Sequence, residues 1–164
     1  DSTGQYLAAA ITGGSGALYY STDWGATWSA MAGVPAASSW TSIASDDSGN
    51  RHVACVTGGD IYSHNIASAH PWMWNDFTPS STTHWKSVAS SANGSYLAAV
   101  ASEGAVYTSV NAGGAWTPRS NGFPAGAQWS CVESDDTGYS LAAGVYGGHI
   151  YVSSDQGANW SLGL

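Results

Sequence analysis

Positive charge is almost absent from this sequence. Arg51, Lys86 and Arg119 are the only cations among 164 residues, and the formal net charge is −8. Nucleic-acid binding needs clustered basic side chains that displace counterions from phosphate, so that class is excluded. A polybasic contact with a membrane surface fails on the same ground. Long apolar runs are missing too. The longest are of the Tyr96–Ala101 kind, far short of the roughly 18 residues of a spanning helix, so no membrane insertion is expected. Cys55 and Cys131 are too few for a disulfide framework. No secretory signal opens the sequence, so any such peptide was removed or lies outside it. Nor does any stretch carry the apolar period of a useful helix.

Aromatic and turn-forming residues are plentiful: nine Trp, nine Tyr and 21 Gly. Set among regular apolar runs, they indicate packed structure rather than a disordered tail. One arrangement recurs three times, as Ser21-Thr-Asp-Trp-Gly-Ala-Thr-Trp28, Ser109-Val-Asn-Ala-Gly-Gly-Ala-Trp116 and Ser153-Ser-Asp-Gln-Gly-Ala-Asn-Trp160. Ser109 is followed at fixed offsets by Asn111, Gly113 and Trp116, and Ser153 by Asp155, Gly157 and Trp160. In the first copy the same places hold Ser21, Asp23, Gly25 and Trp28. Ser and Asp/Asn side chains close such turns by bonding nearby backbone N–H groups. Gly supplies a positive φ, and Trp gives the hairpin a large apolar anchor.

A second marker, Trp-x-Ser/Cys-Ile/Val, begins at Trp40, Trp85 and Trp129. Trp85 follows Trp40 by 45 residues, and Trp129 follows Trp85 by 44. The turn repeats on the same scale, with a degenerate copy expected from Ser63 to Trp74. Four units follow, at about 1–36, 37–81, 82–125 and 126–164. In the third, Trp85–Ser90 alternates apolar and polar residues and reads as a half-buried strand. Tyr96–Val100 is a continuously apolar strand, Ala105–Thr108 a third, and Trp116-Thr-Pro118 starts a fourth whose Pro suits an edge. Small residues such as Ala98 and Ala99 suit close approach of neighbouring sheets. The first unit enters at Asp1-Ser-Thr-Gly4, which matches the turn Asp135-Asp-Thr-Gly138, so its first strand is missing and the chain is cut inside the repeat at both ends. Four-stranded units at this period that cannot bury both faces alone are expected to stack radially. The expectation is one all-β domain over 1–164, a β-propeller or an arc of one, possessing four blades and lacking the first strand of the first.

Ser-x-Asp-x-Gly-x-x-Trp after a Gly-x-Val/Ile/Leu-Tyr strand resembles the Asp-box (BNR) repeat of sialidases, sortilin-type receptors, photosystem-assembly propellers, xyloglucan-cleaving glycosidases and lectin-like propellers. The resemblance implies a propeller fold and a structural role for the turn. It leaves function open, since members differ widely. Sialidases hold the substrate carboxylate with three arginines, and Arg51 and Arg119 are one too few. A glycosidase needs two acidic groups flanking the bond. Glu103 falls in an expected turn, where a solvated carboxylate is ordinary. Glu133 replaces Ala44 and Ala89 at a strand position, and its ordinary role is an acidic side chain at a channel mouth or strand edge.

Other candidates lie in loops. His64 and His70, with nearby His84, match no strong metal-ligand spacing. Trp24 and Trp72 are the two Trp not accounted for by the repeat, and an exposed Trp is a platform for a sugar ring or a partner. Against that stands the simple covering of a hairpin. Two glycosylation triplets occur, Asn93-Gly-Ser95 and Asn159-Trp-Ser161, with Asn93 the better candidate because its turn is exposed. Cys55 and Cys131, in different strand positions of non-adjacent units, are expected as buried free thiols. The sequence thus points to a non-enzymatic, extracellular binding or assembly module without cofactor. Its unpaired first blade would be completed by a second copy or by the rest of a longer chain. The alternatives are a lectin and a piece of a glycoside hydrolase.

Overall fold

The computed structural model describes residues 1–13, 16–34, 39–65, 75–77 (backbone only) and 83–163. His70, Trp72 and Trp74 lie outside the described residues. Among the described residues all regular structure is strand, in four antiparallel sheets taken in chain order. Blade 1 has three strands, β1 (Leu7–Ala10), β2 (Leu18–Ser21) and β3 (Ser29–Ala30). Blade 2 has β4 (Trp40–Ser45), β5 (Arg51–Val56), β6 (Ile61–Asn65) and β7 (Asn75–Phe77). Blade 3 has β8 (Trp85–Ser90), β9 (Leu97–Ala101), β10 (Val106–Ser109) and β11 (Thr117–Arg119). Blade 4 has β12 (Trp129–Ser134), β13 (Leu141–Val145), β14 (Ile150–Ser153) and β15 (Ser161–Leu162). Pro118 sits on the edge strand β11, where no ladder N–H is needed.

The blades stack face to face, and the core is three layers of side chains between four sheets. Leu18, Trp40, Ala54 and Val56 fill the first layer. Val53, Cys55, Ile61, Trp85 and Ala99 fill the second. Ala98, Val100, Val106, Trp129, Val132 and Tyr151 fill the third. Successive strand residues point to opposite faces, so β5 sends Val53 and Cys55 one way and Ala54 and Val56 the other. That is why β9 is apolar throughout and β5 nearly so: in the two middle blades both faces of the second strand are inside. Blades 2, 3 and 4 also repeat one ring pair, the first-strand Trp set edge-on to the third-strand Tyr. The centroid separations are 5.3 Å for Trp40–Tyr62 and 5.6 Å for both Trp85–Tyr107 and Trp129–Tyr151. Such pairs contribute about 0.5–1.5 kcal/mol beyond area burial.

The same irregularity recurs in each first strand, where the ladder skips Thr41, Lys86 or Ser130. In β4 and β8 this bulge turns the following serine toward the next blade. Ser42 Oγ accepts the Val88 N–H, and Ser87 Oγ accepts the Val132 N–H, both at 3.2 Å. At one rim the turns between first and second strands are joined directly. Ser2 N–H donates to the Asp47 carbonyl (3.4 Å), Asp47 N–H to Ala92 (2.9 Å) and Ala92 N–H to Asp136 (2.8 Å). The repeat therefore sets local turns, and the turns in turn set blade spacing.

Two faces remain open. The side of blade 4 that corresponds to the covered side of blades 1 to 3 exposes Cys131, Glu133, Ala142, Ile150 and Val152. At the other end, β1 is the edge of its sheet, and no described strand pairs with its outer side.

Candidate functional site

The three repeated turns share one hydrogen-bond network. Ser153 Oγ accepts the N–H groups of Asp155 (3.3 Å) and Gly157 (2.9 Å) and donates to Asp155 Oδ1 (2.8 Å). Asp155 Oδ1 also accepts the Asn159 N–H at 2.9 Å. Ser21 with Asp23, and Ser109 with Asn111, repeat the pattern. The bonds stabilise the carboxylate form. The backbone N–H of Asn159, then its side chain, hold Asp155 down at about 2, and Thr27 similarly lowers Asp23. The residue before the turn glycine takes a left-handed φ in all three: Trp24 (56°), Ala112 (56°) and Gln156 (61°). The Asp23 and Asp155 carboxylates and the Asn111 amide oxygen are thus occupied by bonds within their own turns.

The closing Trp side chains differ by position in the stack. Trp116 and Trp160 are 7% and 4% exposed, whereas Trp28 is 43% exposed because its side of blade 1 is uncovered. Trp24 is 68% exposed at the tip of the first turn, with its N–H bonded to the Gln5 carbonyl.

Blade 2 departs from the pattern one residue later than expected. The ladder sets His64, not Ser63, opposite His52, at the places where blades 1, 3 and 4 pair Ser21 with Leu7, Ser109 with Leu97 and Ser153 with Leu141. His64 is buried, and its ring stacks on that of His52. Burial, then the charge of His64, pushes His52 down to about 4, and burial lowers His64. His84 is in another blade altogether. Among the described residues no group of three His, Cys, Asp or Glu gathers to hold a metal.

The two glutamates are far apart in role. Glu103 is more engaged than a solvated turn carboxylate: it accepts the His84 backbone N–H at 3.2 Å and pairs with His84 Nδ1. Partial burial pulls its carboxyl up, but the bonds from His84 outweigh this and leave it below the ordinary range. Glu133 is exposed on the open face of blade 4, where Ala89 of blade 3 is buried. Cys55 is a buried free thiol, as expected, but Cys131 is exposed. It occupies the inter-blade position of Ser42 and Ser87, and in blade 4 that position faces outward. The two glycosylation triplets also separate. Asn159 Nδ2 donates to Asp155 Oδ2 at 2.8 Å inside the turn. Asn93 is exposed and uses only its oxygen, accepting the Ser95 N–H at 2.8 Å and the Ser91 hydroxyl at 3.0 Å.

No family model matches the chain, and no curated protein matches it. Solved structures do. A GH74 xyloglucanase from Xanthomonas campestris superposes with a TM-score of 0.69 over 88% of this chain and 26% of its own, at 19% identity. An ancestral GH74 enzyme gives 0.71 over 98% of this chain and 23% of its own, at 16% identity. YCF48 from Cyanidioschyzon merolae gives 0.61 over 95% and 53%, at 19% identity. A YCF48 structure with a D1 peptide bound gives 0.64 over 96% and 50%, at 17% identity. The chain is a four-blade arc of a β-propeller. It spans about a quarter of the two GH74 chains and about half of the YCF48 chains.

Proposed function

We propose that the chain acts by binding and assembly rather than by catalysis, as an extracellular propeller module of the Asp-box kind. The observation that carries this is the unfilled place beside β1. Blades 2, 3 and 4 each bury a first-strand Trp against a third-strand Tyr, and Tyr19, the corresponding residue of blade 1, has no such Trp among the described residues. A strand edge beside an unfilled apolar place accepts another strand. That strand comes from a second copy or from the rest of a longer chain, and a segment patterned like Trp85–Ser90 fits it. The peptide in one YCF48 structure supports this reading, and the exposed Asn93 suits a glycosylated extracellular surface. Light scattering with intact mass tests it. The expected result is multiples of the chain mass, or uptake of a synthetic Trp-Lys-Ser-Val-Ala-Ser peptide by the single chain. A stable single copy that takes up no such strand overturns it.

The second reading is a piece of a glycoside-hydrolase propeller. The GH74 neighbours and the exposed Glu133 carboxylate favour it. Release of reducing ends from xyloglucan, abolished in Glu133→Gln, would establish it, and absent or unchanged release would dispose of it.

A further inference from the structure

The rim opposite the repeated turns differs between blades 3 and 4. In both, the linker into the blade lies against the turn between its second and third strands, tied by one backbone bond. Ser102 N–H donates to the His84 carbonyl at 3.1 Å, and Tyr146 N–H to the Gln128 carbonyl at 2.7 Å. In blade 3 the space beyond that bond is bridged by the His84–Glu103 pair. In blade 4 Gln128 stands for His84 and Gly147 for Glu103, and the space is a cavity of about 350 Å³. Gly147 has a φ of 65°, a conformation that side chains rarely adopt, so the opening is kept clear by the backbone itself.

We propose that this cavity is a binding site for a neutral saccharide. Its volume lies within the range of about 300–1,000 Å³ typical of small-molecule sites. Tyr146, 81% exposed at the mouth, replaces the Thr57 and Ser102 of the other turns and offers a flat apolar face to the C–H side of a sugar ring. Tyr151 lines the wall, held edge-on against Trp129 at 5.6 Å. Gln128 and His149 bring donors and acceptors to the same space. Among the described residues none of these four side chains makes a hydrogen bond within the protein, so their polar atoms are available to hydroxyl groups. The lining contains no Asp, Glu, Lys or Arg. An anionic or cationic ligand would lack a counter-charge there, and the net charge of −8 opposes anions further.

The site is independent of strand addition at β1. Its test is a titration of the 164-residue protein with cellohexaose, maltohexaose, xylohexaose and chitohexaose, followed by NMR or tyrosine fluorescence, with oligogalacturonate and a neutral hexapeptide as contrasts. Saturable binding of at least one neutral oligosaccharide is expected. Tyr146→Ala should weaken it about tenfold or more, which is about 1.4 kcal/mol, and Gln128→Ala should weaken it too, with both melting temperatures unchanged. Light scattering in the same samples should show no change in mass, separating this site from assembly. Three results would overturn the proposal: no saturation by any neutral oligosaccharide at millimolar concentration, binding indifferent to both substitutions, or uptake of the contrast ligands instead.

Discussion

His52 lies directly across the β5–β6 ladder from His64, with ring centroids 6.1 Å apart and planes 23° from parallel. Two ionisable rings thus occupy the buried place that the other blades give to a leucine and a serine, and the fold depends on their remaining neutral. Burial and His64 lower His52 to about 4, opposed by the charge of Asp46. The unfolded chain, with an ordinary His near 6.5, binds the proton first. Stability is therefore fully present above about pH 6.5, falls as pH drops toward 4, and levels off below. The loss approaches about 3 kcal/mol. Urea midpoints at pH 7 and 4.5 should show this for the native protein and much less of it for His52→Leu. An equal acid loss in the variant would show that the pair is not responsible.

Ser153 and Asp155 make separable contributions to the turn. Ser153 is buried and satisfies two backbone N–H groups, so Ser153→Ala should cost about 1–3 kcal/mol. Asp155→Asn should lower the melting temperature far less than Asp155→Ala, because Asn111 already does this work in blade 3 with an amide oxygen 2.8 Å from the Ala115 nitrogen. Calorimetry on the three variants decides it. Equal losses for the Asn and Ala variants at 155 would mean that charge, not geometry, holds the loop.

Gly122 is the tightest backbone contact in the last linker. A Cβ built there would lie 1.7 Å from the Trp160 carbonyl oxygen, at a φ of 91°. Gly122→Ala should cost about 3 kcal/mol or more, because the linker is tied to this segment by the Trp160 N–H bond to the Asn121 carbonyl (3.1 Å) and cannot yield without losing it. Gly126→Ala, at φ 74° in open space, should cost only about 1–2 kcal/mol. Denaturant curves for the pair test whether the clash, rather than the handedness, dominates.

The two thiols should differ sharply in reactivity. Cys55 is buried, with the Thr41 hydroxyl 3.2 Å from its Sγ, and burial pushes it up to about 12. Cys131 is exposed. Maleimide should modify one thiol in the folded protein and none in Cys131→Ser, with Cys55 reacting only in denaturant. Labelling of Cys131→Ser at native rates would place a hole in the blade 2–blade 3 layer.

The strands and the stack were legible because the informative residues repeat: Trp40, Trp85 and Trp129 mark first strands, and Ser21, Ser109 and Ser153 mark turns. Blade 2 was misread by one residue because Ser63 imitates the turn serine, and only the pairing of His64 with His52 reveals the register. A one-residue step reverses which face a side chain meets, and local pattern cannot detect it where the motif has decayed. Cys131 was misplaced for another reason. Its strand position is internal in blades 2 and 3, and only the three-dimensional stack shows that blade 4 has nothing described beyond it. The opening beside Tyr146 was illegible as well, since it arises from the exchange of Glu103 for Gly147 across equivalent turns.

The links among the rim turns all run the same way: Ser2 gives its N–H to blade 2, Asp47 to blade 3 and Ala92 to blade 4. The arc therefore has a polarity, like a filament with unlike ends. One end presents the Ser2 carbonyl and the other the Asp136 amide, each without a backbone partner among the described residues. Two like ends would set acceptor against acceptor or donor against donor, whereas unlike ends extend the rail by one more bond. Any joining along this rim is consequently vectorial. Under the proposed assembly, it would run head to tail, each end accepting only its unlike counterpart.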